Sequence, residues 1–160
     1  MKIVDFTKQI SISSSFTKLT LRHIELQKDK VSFPEPDKFN YNWSDPKNLM
    51  CQMMDQGYLL GKVLLDDSNN VQGYALYTYD KNPMSNVLTL YVMAIIVAEE
   101  YVNTFWAGKL VTSVVNFATE HGCKTINWSV NTYTPGEEMF YKHPNKFKLI
   151  SQTFLQILDN

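Results

Sequence analysis

Apolar residues follow two different rhythms in the middle of the chain, between residues 87 and 122. The first part, VLTLYVMAIIV, is an almost unbroken apolar run rich in β-branched residues, which is typical of a strand buried on both faces. After the polar stretch AEEYVN, apolar residues recur at helical spacing and polar residues fill the opposite face. The pattern therefore predicts a buried strand over Val87–Val97, a short elbow, and an amphipathic helix. The apolar stripe of that helix is Ala107, Leu110, Val111, Val114, Phe117 and Ala118.

The predicted helix carries suitable residues at both of its ends. Asn103 or Thr104 can cap its start, and Gly122 stands where a left-handed residue ends a helix. The first N–H groups of a helix have no partner inside it, so a helix that follows a buried strand directly offers donors to an anion. The elbow before this helix is therefore a candidate binding site.

The segments before the elbow predict further strands and helices. Residues 1–6 suit a short strand, and Ser13–Ser15 can cap a helix that runs to Gln27. Asp29–Ser44 contains two prolines and several aromatic residues and predicts a long loop, which is either a binding segment or a connection packed by its own aromatic side chains. A helix over Pro46–Gln56 follows, with Leu49, Met50 and Met53 facing inward and Gly57 at its end; two strands, Tyr58–Leu65 and Val71–Tyr79, are joined by a polar turn over Asp66–Asn70.

The remaining chain predicts a strand over Thr125–Val130, a short helix over Thr134–Tyr141 and a terminal strand over Phe147–Leu158. With 160 residues, 44% apolar and 19% charged, the sequence predicts one globular α/β domain over residues 1–160. The order of predicted elements is β, α, α, β, β, β, α, β, α, β.

Composition narrows the possible partners. A net charge of −1 offers no basic surface for nucleic acid, and no apolar run reaches the roughly 18 residues that would indicate a membrane span. The N-terminus lacks the apolar stretch of a signal peptide, so we expect a cytoplasmic protein with Cys51 and Cys123 as reduced thiols. His23 and His143 have no neighbours at metal-ligand spacing, so no metal site is predicted. The motifs of serine hydrolases and of phosphate-binding Gly/Lys loops do not occur.

The predicted order, with a β-hairpin before a central strand, an elbow and a long helix, resembles the GNAT superfamily of coenzyme-A-dependent N-acetyltransferases. The resemblance is strongest over residues 56–157 and implies a mixed, mainly antiparallel sheet flanked by helices. In that family the elbow carries the pattern Arg/Gln-x-x-Gly-x-Gly/Ala, whose backbone amides and helix N-terminus hold the coenzyme pyrophosphate. Aligned on VAEEYVNTFWAGKL, the six positions are Val102, Asn103, Thr104, Phe105, Trp106 and Ala107.

Only the last position of this pattern conforms. Val102 replaces the Arg or Gln, and Phe105 replaces the first glycine, while Ala107 matches. A glycine lets phosphate oxygens approach the backbone, so we expect the side chain of Phe105 to obstruct them.

A second segment, TPGEEMFYKHPNKF, resembles the family pattern Asn-x-Ala-Ala-x-x-Phe/Leu-Tyr-x-x-x-Gly-Phe. By this resemblance Tyr141 is the candidate catalytic acid that protonates the departing coenzyme thiolate, and Thr134 stands where an asparagine often contacts the coenzyme. The backbone amides of Ile95 to Val97 would pair with pantetheine and polarise the acyl carbonyl. Tyr91 occupies the position of a glutamate base found in some relatives, and Glu99 and Glu100 are either a base at the strand end or a solvated elbow.

Two functions are consistent with this sequence. The first is transfer of an acetyl group from acetyl-CoA to an unknown amine, either a small molecule or a protein. The second is a non-catalytic GNAT-fold binding or structural protein, for example virus-encoded, that has lost coenzyme binding and contacts a protein partner through Phe105 or Trp106. An enzyme needs the elbow open with its amides free, whereas a binding protein would have one of these rings fill that space or protrude.

Overall fold

A computed structural model of the chain describes residues 1–28, 44–83 and 85–129. It contains the strands β1 (Lys2–Asp5), β2 (Leu60–Leu65), β3 (Val71–Lys81), β4 (Leu88–Val97) and β5 (Thr125–Trp128). Its helices are α1 (Lys8–Ser11), α2 (Ser14–Lys28), α3 (Ser44–Asp55) and α4 (Phe105–Glu120), and a 3₁₀ turn spans Glu99–Tyr101. The predicted Asp29–Ser44 loop lies outside the described residues except for Ser44, as do Val130, the predicted Thr134–Tyr141 helix and the predicted Phe147–Leu158 strand.

The five described strands form one sheet in the order β1-β2-β3-β4-β5. The first three pairings are antiparallel, and β4 pairs with β5 in parallel. The prediction of an α/β fold with a mixed, mainly antiparallel sheet is therefore confirmed. In the described part of the chain no helix is long and apolar enough to cross a membrane.

Helices cover both faces of the sheet because the central strands carry apolar residues on both sides. Tyr74 and Leu76 of β3 pack with Phe16 of α2, whereas Ala75 and Tyr77 of the same strand pack under α4. On the second side, Leu110, Val114 and Ala118 of α4 are fully or almost fully buried. The stripe predicted for α4 is confirmed, and so is the prediction that the strand before the elbow is covered on both faces, although Met93 of β4 is 42% exposed.

Local structure departs from the sequence expectations at two places. The short helix α1, capped by the Thr7 side chain that accepts a hydrogen bond from the Ile10 N–H, is too short to produce a periodic pattern. The inward position predicted for Leu49 is wrong, because this side chain is 57% exposed. Met50, Met53 and Met54 pack against the core instead, so the buried stripe of α3 is centred one step further along the helix.

Candidate functional site

Strand β4 contains one residue more than the part of β3 that it faces. Tyr77 pairs with Val92 and Leu76 pairs with Ala94, which leaves Met93 without a partner residue on β3. An extra residue of this kind is a β-bulge, and it reverses the alternation of the strand. The reversal is visible in the core, because Leu90 and Val92 face α4 before the bulge and Ile95 and Val97 face it afterwards.

The bulge also changes which backbone groups face β5. Before it, the carbonyls of Leu88 and Val92 accept hydrogen bonds from the N–H groups of Lys124 and Ser129 at 2.8 and 3.0 Å. After it, the N–H of Ala98 donates to the carbonyl of Gln72 at 2.8 Å, on the side of β3. Backbone groups alternate along an antiparallel strand, so the N–H groups of Ile95 and Val97 point away from β3.

β5 runs beside only the first half of β4. The parallel register extends from Thr89 opposite Thr125 to Val92 opposite Trp128. Among the described residues, no strand pairs with the second half of β4 on that side. Within the described part of the chain, the two parallel strands therefore leave a gap at the carboxyl end of β4, a usual place for a ligand in α/β sheets. The N–H groups of Ile95 and Val97 face this gap.

The elbow connects this gap to the start of α4. Thr104 caps the helix as one of the two predicted cap residues: its Oγ1 accepts a hydrogen bond from the Trp106 N–H at 3.3 Å and donates one to the Tyr101 carbonyl at 2.8 Å. The N–H groups of Asn103, Phe105 and Ala107 have no hydrogen-bond partner in the part of the chain that the structure describes. Three backbone donors are thus available beside the N-terminus of a 16-residue helix.

Aromatic side chains surround this helix start. Phe105 is 69% exposed, and its ring meets that of the half-buried Trp106 edge-on at 5.7 Å between centroids. The Nζ of Lys109 lies 4.7 Å from the centroid of Phe105 and 5.3 Å from that of Trp106. The elbow therefore combines features expected of both rival functions, since three of its N–H groups have no partner among the described residues and Phe105 also protrudes into solvent.

A salt bridge joins the elbow to α2. Arg22 Nη2 lies 2.8 Å from Glu99 Oε2, and both side chains are more than half exposed. Exposed pairs of this kind contribute about 0–1 kcal/mol, so the pair orients Glu99 more than it stabilises the fold. Glu99 is engaged by a cation, whereas Glu100 is exposed to solvent.

Shifted pKa values occur away from the elbow. Burial raises the pKa of the Tyr77 hydroxyl far above its usual range, and the negative charge of Asp5 adds to the effect. Burial lowers the pKa of His23 and raises that of the Cys123 thiol. At the other end of α4, His121 Nδ1 lies 2.8 Å from the Phe117 carbonyl, as expected for a histidine at the carbonyl end of a helix. The described residues contain no cluster of three or more His, Cys, Asp or Glu side chains suited to a metal ion.

Most of the predicted site residues lie between the gap beside β4 and the first turn of α4. Thr134 and the predicted acid Tyr141 lie outside the described residues, and Tyr91 is half-buried in β4. Lys109 was missed, because the sequence pattern assigns it only to the polar face of α4. Its position four residues after Phe105 is the signal that could have revealed it, since such pairs are neighbours on a helix. The predicted site residues in this region are Ile95, Val97, Val102, Asn103, Thr104, Phe105 and Ala107.

Solved structures share this architecture, and two of them are acetyltransferases. A ribosomal-protein-alanine N-acetyltransferase from Brucella melitensis biovar Abortus superposes with a TM-score of 0.71 at 11% identity, over 98% of this chain and 100% of that one. An aminoglycoside acetyltransferase from an uncultured soil metagenomic sample gives 0.68 at 17% identity, over 98% and 96% of the two chains. A mutant of a Bacillus halodurans protein gives 0.75 at 16% identity, over 99% and 100%. No family model and no curated protein sequence matches the chain.

The chain therefore has the fold of the GNAT acetyltransferases. The superpositions establish the fold, and at identities of 11 to 17% the activity has to be argued from the site.

Proposed function

We propose that this protein is an acetyl-CoA-dependent N-acyltransferase that moves an acetyl group to an amine. The observation that carries the proposal is the gap beside the second half of β4, into which the N–H groups of Ile95 and Val97 point. Donors that are fixed in a sheet need no rearrangement to bind a carbonyl oxygen, which is the property that makes such groups effective in acyl transfer.

The backbone of the elbow fits the pyrophosphate of this substrate. The N–H groups of Asn103, Phe105 and Ala107, which no described residue pairs with, would hold phosphate oxygens beside the N-terminus of α4, where negative charge is favoured. Thr104 would contribute indirectly, because its hydroxyl already holds the Trp106 N–H and the Tyr101 carbonyl in place. Val102 supplies no charge there, and the benzyl group of Phe105 stands where the family pattern has a glycine.

The chemistry requires an activated acetyl group, which acetyl-CoA supplies. A neutral amine would bond to the acetyl carbon as the carbon–sulfur bond breaks, and the proton that the amine loses would leave to solvent. Ile95 and Val97 would hold the carbonyl oxygen, Thr134 would contact the coenzyme, and Tyr141 would give its proton to the sulfur. The amine acceptor, a small molecule or a protein, would enter over the Asp29–Ser44 loop.

One observation favours a second candidate function, a non-catalytic protein that binds a protein partner. Phe105 is 69% exposed, and large aromatic side chains are enriched among the residues that anchor protein interfaces. In that case the elbow would bind a partner through Phe105, and coenzyme binding would have been lost.

Thermal melting with and without millimolar acetyl-CoA separates these two functions. A ligand present at 100 times its dissociation constant stabilises a protein by about 2.7 kcal/mol, which corresponds to about 5–10 °C for a domain of this size. We expect a shift in that range with acetyl-CoA and none with acetate at the same concentration. Equal melting temperatures in both samples would refute the enzyme proposal and direct the search to protein partners.

A further inference from the structure

The start of α4 combines the positive end of the helix dipole with the side chain of a lysine, Lys109. The first turn of this helix contains no acidic residue, although helix N-termini favour them. Lys109 lies one turn further on and adds a full positive charge, which the helix dipole disfavours at this end. Lys109 takes part in none of the described ion pairs, which are Met1–Asp67, Lys8–Asp55, Arg22–Glu99 and Lys62–Asp5.

Two aromatic rings hold the ammonium group of Lys109 near the elbow. Side chains on a helix lean toward its N-terminus, so Lys109 reaches back over Phe105, four residues earlier. The distances of 4.7 and 5.3 Å from Nζ to the centroids of Phe105 and Trp106 lie within the range of cation–π attraction. The ammonium therefore has a preferred position over the exposed ring of Phe105 and the half-buried ring of Trp106. The N–H groups of Phe105 and Ala107, which have no partner among the described residues, belong to the same helical turn as these rings.

We infer that Lys109, held by Phe105 and Trp106, binds a phosphate group of the coenzyme and is a specificity-determining residue of this site. This inference rests on the proposed function. It assigns to Lys109 the positive charge that Val102 does not supply at the family position, and it gives Phe105 a supporting role where a glycine is expected. The phosphates are the part of the ligand that an ammonium recognises, so Lys109 would discriminate coenzyme A from pantetheine derivatives that lack them.

Calorimetric titration of four forms of the full chain with coenzyme A and with S-acetylpantetheine tests this assignment. The forms are wild type, Lys109→Met, Lys109→Arg and Lys124→Met. Methionine keeps most of the lysine stem without its charge, and arginine keeps the charge. Lys124 is the matched control, since it is also an exposed lysine but lies beyond the far end of α4, at the start of β5. Circular dichroism melting of each form checks that it is folded.

We expect Lys109→Met to weaken coenzyme A binding about tenfold, which is typical of one lost charge-assisted hydrogen bond. The binding of S-acetylpantetheine should stay within twofold of wild type, and Lys109→Arg should retain most of the affinity for coenzyme A. Phe105→Leu, which removes the ring that supports Lys109, should weaken coenzyme A binding by a smaller factor. Added salt should reduce the difference in coenzyme A affinity between wild type and Lys109→Met, because it screens the attraction between the ammonium and the phosphate.

Three results would overturn the inference. If Lys109→Met and Lys124→Met both bind coenzyme A as tightly as wild type, the proposed function stands and Lys109 has no part in it. If Lys109→Met weakens the binding of both ligands by the same factor, Lys109 maintains the fold of the elbow and does not bind a phosphate. If wild type binds neither ligand, the proposed function fails and the inference fails with it.

Discussion

Replacing Val97 by proline tests whether the gap beside β4 binds the coenzyme. Proline removes a backbone N–H and fills the space in front of the nitrogen. At Val97 the lost N–H points away from β3, so the antiparallel ladder stays intact, as it does for proline on an edge strand. At Ile96 the same change breaks the ladder, because the register directs the N–H of Ile96 toward Tyr74 on β3.

The two substitutions should therefore differ sharply in stability. Ile96→Pro removes a ladder hydrogen bond, leaves a carbonyl of β3 unpaired and deletes a side chain that is only 9% exposed. Together these losses amount to about 3–5 kcal/mol, a large fraction of the about 5–15 kcal/mol by which a typical domain is stable. Val97→Pro loses part of one half-buried side chain, which costs about 1 kcal/mol and lowers the melting temperature by about 2–4 °C.

Binding is measured on the folded variants by calorimetry with acetyl-CoA. Val97→Pro should weaken binding about three- to tenfold, the value of one net hydrogen bond to a carbonyl. Val97→Ala is the control, because it trims the same side chain and keeps the N–H, and we expect near wild-type affinity. A folded Val97→Pro protein that binds acetyl-CoA like wild type would show that this N–H does not face the ligand, and the proposed gap would have to be abandoned.

Three other predictions concern separate parts of the chain. Tyr141→Phe should lower turnover by about 10²- to 10⁴-fold in a coupled thiol assay while leaving acetyl-CoA affinity unchanged, and undiminished turnover would remove Tyr141 from the mechanism. Val102→Arg should strengthen coenzyme A binding in calorimetry, because it restores the positive charge that the family pattern has at this position; no gain would mean that the phosphates do not lie beside residue 102. Burial lowers the pKa of His23 below its ordinary 6.5, so the unfolded chain takes up a proton first as the pH falls, and stability should decline from about pH 6.5 downward. Urea unfolding at pH 7.5 and 5.5 should show a smaller decline in His23→Gln, and an equal decline in both proteins would contradict this account.

The succession of elements could be predicted because burial shapes the sequence strongly there. β4 is covered by α4 on one face and by the α2 side of the core on the other, so nearly all of its residues are apolar. α4 is covered on one side only, which produces a clear stripe ending in Leu110, Val114 and Ala118. Both ends of α4 could also be predicted from the sequence, since Thr104 caps the start and Gly122 adopts a φ of 74° at the end.

The unbroken apolar run that made β4 predictable also hid its β-bulge. A bulge reveals itself in a sequence by reversing the alternation of apolar and polar residues. The run from Val92 to Val97 is apolar at every position, so a reversal at Met93 leaves no trace in it. The direction of the Ile95 and Val97 N–H groups consequently becomes apparent only from the register of β3, β4 and β5.

The altered side chains at the elbow bear on affinity more than on the presence of a site. The donors that face the gap and the elbow belong to the backbone, and their directions are set by the register of β4 and by the Thr104 cap. Replacing an arginine by Val102 or a glycine by Phe105 removes a charge or narrows access, but it leaves those N–H groups in place. A family pattern defined by side chains therefore does not record the backbone N–H groups, which remain in place when those side chains change. The decisive tests are the ones that change a backbone donor, as proline does at Val97, or the charge of Lys109, to which we assign the role of the arginine in the family pattern.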